Sequence, residues 1–312
     1  MQSRLFPRLA LATALLTVGL IVFGAVVRVT DSGLGCGNHW PLCNGTVIPP
    51  LDNLTAWIEW LHRLFAILIG LMGLGTLAVA LRAYRTRNRG VLTFTVIAAV
   101  LFVVQSGLGA IVVIFDLPPT FVTLHLGTAM LLLGALLVAA IIATYKPKSG
   151  SPRDNFTTLT YTTTALSLVI ILTGALVRGS GATLACVDYP LCNGSVLPLD
   201  QGQLQIIHMT HRYAVAALGI SLALLVWSAQ RTRQEARVRT LALLALVMYL
   251  MQAAIGAAFV LTAAQPLWGA AHVGFAAATW ALLVALSAFE TLNSRIVNQP
   301  ESEWQPSSQA SR

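Results

Sequence analysis

The chain has 312 residues, of which 56% are hydrophobic and 10% charged, with a formal net charge of +8. That balance excludes a soluble globular domain and a disordered polyelectrolyte, and places the protein among membrane proteins. A helix crosses the hydrocarbon layer with about 20 mainly apolar residues, and eight such stretches occur, at 9–30, 58–81, 91–114, 119–144, 157–178, 205–229, 238–261 and 266–289.

The first helix follows Arg4 and Arg8, as the apolar run of a signal peptide would, and closes on GAVVR at 24–28. A long loop, roughly 31–57, then carries Cys36, His39 and WPLCNG with Cys43. Helix 2 opens with EWLHR at 59–63, and Arg82, Arg85, Arg87 and Arg89 separate it from helix 3. Helix 4 contains His125 within TLHLG. A linker, 146–156, is rich in Lys, Pro, Ser and Gly. Helix 5 ends on GALVR at 174–178, and the loop after it, 179–204, holds Cys186 and PLCNG with Cys192. Helix 6 carries HMTHR at 208–212, Arg231, Arg233, Arg237 and Arg239 lead to helix 7, and helix 8 holds His272 in AAHVG.

The second half repeats the first at an offset of 150 at GAVVR/GALVR and 149 at the two later blocks. Because helix 5 lies mid-chain and cannot be cleaved away, helix 1 is expected to remain in the mature protein. The predicted fold is an all-α integral membrane protein of eight transmembrane helices in two repeat-related four-helix bundles. The bundles are 1–145 and 157–292, joined by the linker, and the polar tail 293–312 is expected to be disordered.

Of the 19 Lys and Arg, 15 lie in the N-terminus, the 2–3 loop, the linker, the 6–7 loop and the tail. Eight crossings put all of these on one side, which the positive-inside rule makes the cytoplasm. The charge is therefore topology and no nucleic-acid partner is implied. Both termini are expected in the cytoplasm of a plasma-membrane protein, with the cysteine loops outside. On that oxidising side the short-range pairs Cys36–Cys43 and Cys186–Cys192 favour disulfides. Each bridge stiffens a loop in one reading; in the other, Cys36–Cys43 accepts electrons beside an oxidation site.

His62, His125, His211 and His272 stand five or six residues in from the expected outer boundaries of helices 2, 4, 6 and 8, about Trp57, Pro119, Gln205 and Pro266, a depth of ~8–9 Å. Helices 2 and 4 run the same way, as do 6 and 8, so each bundle can face two imidazoles across its interior. Zinc prefers four tetrahedral ligands and copper a sulfur supplement, whereas opposed imidazoles suit the axial positions of haem iron. Arg28 and Arg178 close helices 1 and 5 near that level and are propionate candidates, or else interfacial arginines reaching headgroups. Glu59 lies one turn before His62, while its repeat mate is His208, which is itself a second candidate ligand. A carboxylate there serves as a general base or, alternatively, as a partner for an arginine such as Arg63. Two matching sites with one carboxylate between them suggest that chemistry occurs in the first and that a haem stays in place in the second.

With GAVVRVTDSGLGC, WPLCNG, EWLHR and TLHLG answered by GALVRGSGA, PLCNG, HMTHR and AAHVG, residues 9–290 closely resemble the haem A synthase family. These membrane enzymes convert haem O to haem A for cytochrome oxidase assembly. The resemblance implies that His62 and His125 flank the substrate haem O, that His211 and His272 bind haem b, and that Glu59 and Cys36–Cys43 belong to the reactive half. It implies oxidation of the C8 methyl of haem O to a formyl group by successive hydroxylations, with water as the oxygen source. It also implies a handover from haem O synthase, the protohaem farnesyltransferase, and it leaves a homo-oligomer open. A dihaem electron-transfer protein of the cytochrome b kind also fits the four histidines but not Glu59. A membrane thiol oxidase fits the cysteines but leaves the histidines unused.

Overall fold

A computed structural model describes residues 2–147 and 153–297. Among them are eight long helices and no sheet: α1 (Gln2–Val29), α2 (Leu54–Tyr84), α3 (Arg89–Ile114), α4 (Pro119–Thr144), α5 (Asn155–Gly179), α6 (Gln203–Thr232), α7 (Ala236–Leu261) and α8 (Pro266–Val297). All eight are long and apolar enough to cross a membrane, and the chain is a multi-pass membrane protein. α1, α2, α6 and α8 run about a turn or more past the apolar stretches predicted for them, α3, α5 and α7 by one or two residues, and α4 coincides with its stretch. The polar flanks remain helical because local caps, rather than hydropathy, decide where a helix ends. Asn53 accepts the Ala56 N–H at 3.0 Å, Asn88 the Gly90 N–H at 3.1 Å and Asp154 the Thr157 N–H at 3.0 Å. Pro119 and Pro266 open α4 and α8, where a missing N–H costs nothing.

Two expectations change. Helix 8 continues to Val297 rather than stopping at 289, so residues 293–297, expected in a disordered tail, are helical. Residues 298–312 of that tail and 148–152 of the linker lie outside the described residues.

Around the first half α1 packs on α2, α2 on α3, α3 on α4 and α4 back on α1; α5 to α8 close the same ring. The rings meet through α4 against α8, flanked by α1 against α8 and α4 against α5, which is the pattern a twofold relation gives. A core of Met130, Leu133, Ile171, Ala277 and Trp280 occupies that seam. The indole N–H of Trp280 donates to the Met130 carbonyl at 2.7 Å, which satisfies its one polar atom inside an apolar core.

Candidate functional site

Each histidine is seated by a glycine on the neighbouring helix. A Cβ at Gly24 would lie 3.1 Å from His62 Cε1, at Gly109 3.1 Å from His125 Cε1, at Gly174 3.0 Å from His211 Cε1 and at Gly256 2.8 Å from His272 Cε1. The rings therefore lie flush on bare backbone, α2 against α1, α4 against α3, α6 against α5 and α8 against α7. All four histidines line one continuous cavity of about 1120 Å³, larger than the ~300–1,000 Å³ of an ordinary small-molecule pocket. His62 and His211 stand eight positions after the starts of α2 and α6, and His125 and His272 six after those of α4 and α8. The depths thus pair between halves rather than within them.

The two halves treat their histidines differently. Thr173 donates its hydroxyl proton to the Ile170 carbonyl at 2.8 Å, so its oxygen is left to accept from His211 Nδ1, 2.9 Å away. His272 Nδ1 donates to the Gln252 carbonyl at 2.9 Å. Both rings therefore carry their proton on Nδ1 and present Nε2 as a bare lone pair. In the first half the position of Thr173 is taken by Phe23, whose ring meets His62 edge-on at 5.9 Å, and His62 Nδ1 is buried without a partner. His125 Nδ1 is also unpartnered, and its Nε2 lies 3.2 Å from the Gln105 amide nitrogen.

The loops fold over the cavity on matching frames. PLCNG forms the same turn twice: Asn44 and Asn193 at φ 50, then Gly45 and Gly194 at φ 81 and 80, with Cys43 paired to Thr46 and Cys192 to Ser195. Asn-Gly is the sequence that tolerates two successive left-handed residues. Both predicted disulfides, Cys36–Cys43 and Cys186–Cys192, are formed and enclosed. Gly35 is obligatory beside the first, since a Cβ there would fall 2.4 Å from the Thr55 backbone. Arg63 holds the first loop through the carbonyls of His39 and Leu42, both at 3.2 Å, and Arg212 holds the second through those of Pro190 and Leu191.

Glu59 is buried, 3% exposed, and lines the cavity. One carboxylate oxygen pairs with Arg63 and the other accepts the Cys36 N–H at 2.9 Å, so this residue joins the disulfide loop to the cavity. Its repeat mate His208 instead donates Nδ1–H to the Ala182 carbonyl at 2.9 Å, and His39 stands exposed in the loop.

Arg28 and Arg178, one from each half, converge on the seam between the two sites. Arg178 Nη2 donates to the Arg28 carbonyl at 3.2 Å and to Asp31 at 3.1 Å, while Nε of both arginines is buried without a partner. Among the described residues Arg28 has no ion-pair partner. Two adjacent guanidiniums with spare donors facing a cavity are what carboxylate groups of a ligand would satisfy.

Sequence reading did not single out the glycine seats, Thr173, or the pair Gln105 and Gln252. A signal was present, because Gln-x-x-x-Gly-Ala occurs at 105–110 and again at 252–257.

Residues 7–284 match the family model COX15-CtaA, cytochrome oxidase assembly protein. Among curated relatives, heme A synthase of Halalkalibacterium halodurans is 31% identical over 80% of this chain and 85% of its own length. Heme A synthase of Geobacillus kaustophilus is 32% identical over 88% of each chain, and that of Bacillus licheniformis 28% over 90% and 95%.

Proposed function

The chain belongs to the COX15-CtaA family of cytochrome oxidase assembly proteins, and we propose that it is a haem A synthase that oxidises haem O in its first half beside a resident haem b in its second. The observation that carries this reading is the division among the four seated histidines. His211 and His272 have their Nδ1 protons fixed and Nε2 free, as residues that would hold a resident haem iron need. His62 and His125 lack that support, and Gln105 offers His125 Nε2 another partner. An imidazole with an alternative partner suits a ligand that must come and go. The unpartnered ring nitrogens and arginine Nε atoms are polar groups that a bound haem and its propionates would relieve.

In this reading His211 and His272 hold haem b, which supplies one-electron transfer when bound. Arg28 and Arg178 neutralise propionates, and His62 and His125 orient haem O. Conversion of its C8 methyl to formyl consumes one water and releases four electrons and four protons overall, by two hydroxylations and loss of water from the gem-diol. Arg63 and the Cys36 N–H hold the two carboxylate oxygens of Glu59 in place, and each oxygen has acceptor capacity beyond those two contacts. Glu59 thereby positions the attacking water and takes its proton. Each hydroxylation delivers one electron pair; Cys36–Cys43, tied to Glu59 through the Cys36 N–H, accepts that pair as it is reduced to two thiols and is reoxidised by an external electron acceptor before the second hydroxylation. The arginine-rich end is cytoplasmic and the disulfide loops lie on the outer face of the plasma membrane. Haem O arrives from haem O synthase.

The test is the haem content of protein purified from cells that make haem O, extracted and identified by mass. Haem b with haem O, hydroxylated haem and haem A is expected; haem b alone rejects the assignment. Glu59→Ala should keep haem b and haem O but stop conversion, and full conversion by that variant removes Glu59 from the chemistry.

A further inference from the structure

The cavity runs deeper in the first half than in the second, and two small residues on facing helices make the difference. In the second half Leu222 of α6 is fully buried and Leu246 of α7 packs against the same core; an aromatic ring over a glycine one turn earlier is common to both halves, Tyr249 over Gly219 and Phe102 over Gly70. The repeat mates of Leu222 and Leu246 are Gly73 and Ala99, and both line the cavity. A Cβ at Gly73 would meet nothing within 4 Å, so the volume that Leu222 fills in one half is open in the other. The lining on α2 consequently reaches Leu77, fifteen positions beyond His62, whereas on α6 it stops at Val215, four beyond His211. At 1.5 Å per residue these are depths of ~22 Å and ~6 Å.

The long arm is apolar and opens sideways. Leu71 and Leu74 of α2 and Val100 and Val103 of α3 line it, yet each is more than half exposed on the outer surface of the bundle. The arm is therefore a cleft between α2 and α3 that faces lipid and continues inward to the His62 and His125 site. A porphyrin needs no such extension, since the second site has the same histidine frame without it.

We propose that this arm is the subsite for the isoprenoid chain of haem O, the substituent that distinguishes haem O from haem b, and that the chain enters between α2 and α3 from the bilayer. The inference rests on the reading that His62 and His125 hold haem O, and adds how haem O is admitted to the first site and kept out of the second. In a bilayer an apolar chain gains little by leaving lipid for protein. The arm acts by admitting the chain, and Leu222 and Leu246 act by shutting it out of the second site.

Gly73→Leu, alone and with Ala99→Leu, copies the second-half plug into the first half. Gly75→Leu is the control: it adds the same side chain outside the lining, at the mate of Leu224, which is 50% exposed. Protein carrying its resident haem, in lipid nanodiscs, is offered haem O or haem b in turn, and uptake beyond the resident haem is measured by extraction and mass. Wild type and Gly75→Leu should take up both. The plugged variants should take up haem b as wild type does but lose haem O by about tenfold, equivalent to ~1.4 kcal/mol, with the resident haem reporting an intact fold. Undiminished haem O uptake by the plugged variants overturns the subsite, as does equal loss of both haems. If wild type takes up neither, the haem reading of the first site falls and the subsite with it.

Discussion

A histidine can hold iron only through a nitrogen that bears no proton, and in this protein single side chains decide which nitrogen that is. Thr173 is the clearest case. Its own proton is committed to the Ile170 carbonyl, so it can only accept from His211. Thr173→Val keeps the shape and removes the acceptor, leaving the His211 proton free to sit on either nitrogen. Loss of such a supporting contact typically costs 10–100-fold in metal affinity. The variant should accordingly release the haem proposed for the second half to an excess of a haem-scavenging protein about tenfold faster or more, followed by absorbance. A wild-type rate would show that Thr173 does not set the ligand. The contrast between Glu59 and His208 was legible in the sequence because both are polar residues beside a histidine. The equally informative contrast between Phe23 and Thr173 was not, because a phenylalanine or threonine in an apolar helix carries no chemical flag until its neighbour is known.

Helices bring these residues together through glycines that no capping or hydropathy rule requires. Gly256 is the tightest of the four seats, with an added Cβ only 2.8 Å from the His272 ring. Alanine there would favour the helix by ~1 kcal/mol while pushing His272 off its place, so the two consequences separate. Gly256→Ala should unfold no earlier than wild type when both are stripped of haem, yet bind haem b at least about tenfold more weakly, of the order of one unfavourable contact. Normal haem affinity would mean that the ring has room to shift. Eight helices and their order were readable from apolar length, since a bilayer dictates length. The starts of α2, α3 and α5 were not, because Asn53, Asn88 and Asp154 cap beyond the apolar run. In the shared PLCNG blocks Asn and Gly build a left-handed turn, the Pro and Leu carbonyls take up Arg63 and Arg212, and the cysteine closes a disulfide, so the repeated polar residues there frame the loops. The glycine seats carry no mark in the sequence because glycine is common in membrane helices, and only contact with a ring on the next helix sets these four apart.

At the scale of the molecule, the halves are tied at both ends as well as along the α4–α8 seam. At the disulfide end Arg178 reaches Asp31 and the Arg28 carbonyl, an exposed contact of small worth. At the arginine-rich end Tyr145, just past α4, meets Glu235 at 3.0 Å and Asn293 at 2.9 Å. Beside it Arg233 joins Asp154 before α5 at 2.7 Å and Glu290 of α8 at 2.8 Å, with its guanidinium 4.4 Å from the Phe156 ring centre. Arg233 and Glu290 are 8% and 1% exposed, so removing the cation strands a carboxylate in a dry place. Arg233→Met should therefore destabilise by about 3–5 kcal/mol, seen as an earlier thermal transition, and a shift within error would show that water reaches Glu290. The pH dependence has a definite sign. Hydrogen bonds from Arg233 hold the Asp154 carboxyl at about 2, below its ordinary 3.8, so its contribution is complete above the ordinary value and drains away as pH falls through the lowered one. Wild type and Asp154→Asn should keep a constant gap in transition temperature from about pH 8 to about pH 5 and converge in acid. A gap that instead closes toward alkaline pH would place the stabilising charge on another group. Asp154 is more than a third exposed, so its gap should be much smaller than that of Arg233→Met. That ordering follows from burial: the three charges form one cluster, but only the pair between Arg233 and Glu290 has no water to fall back on.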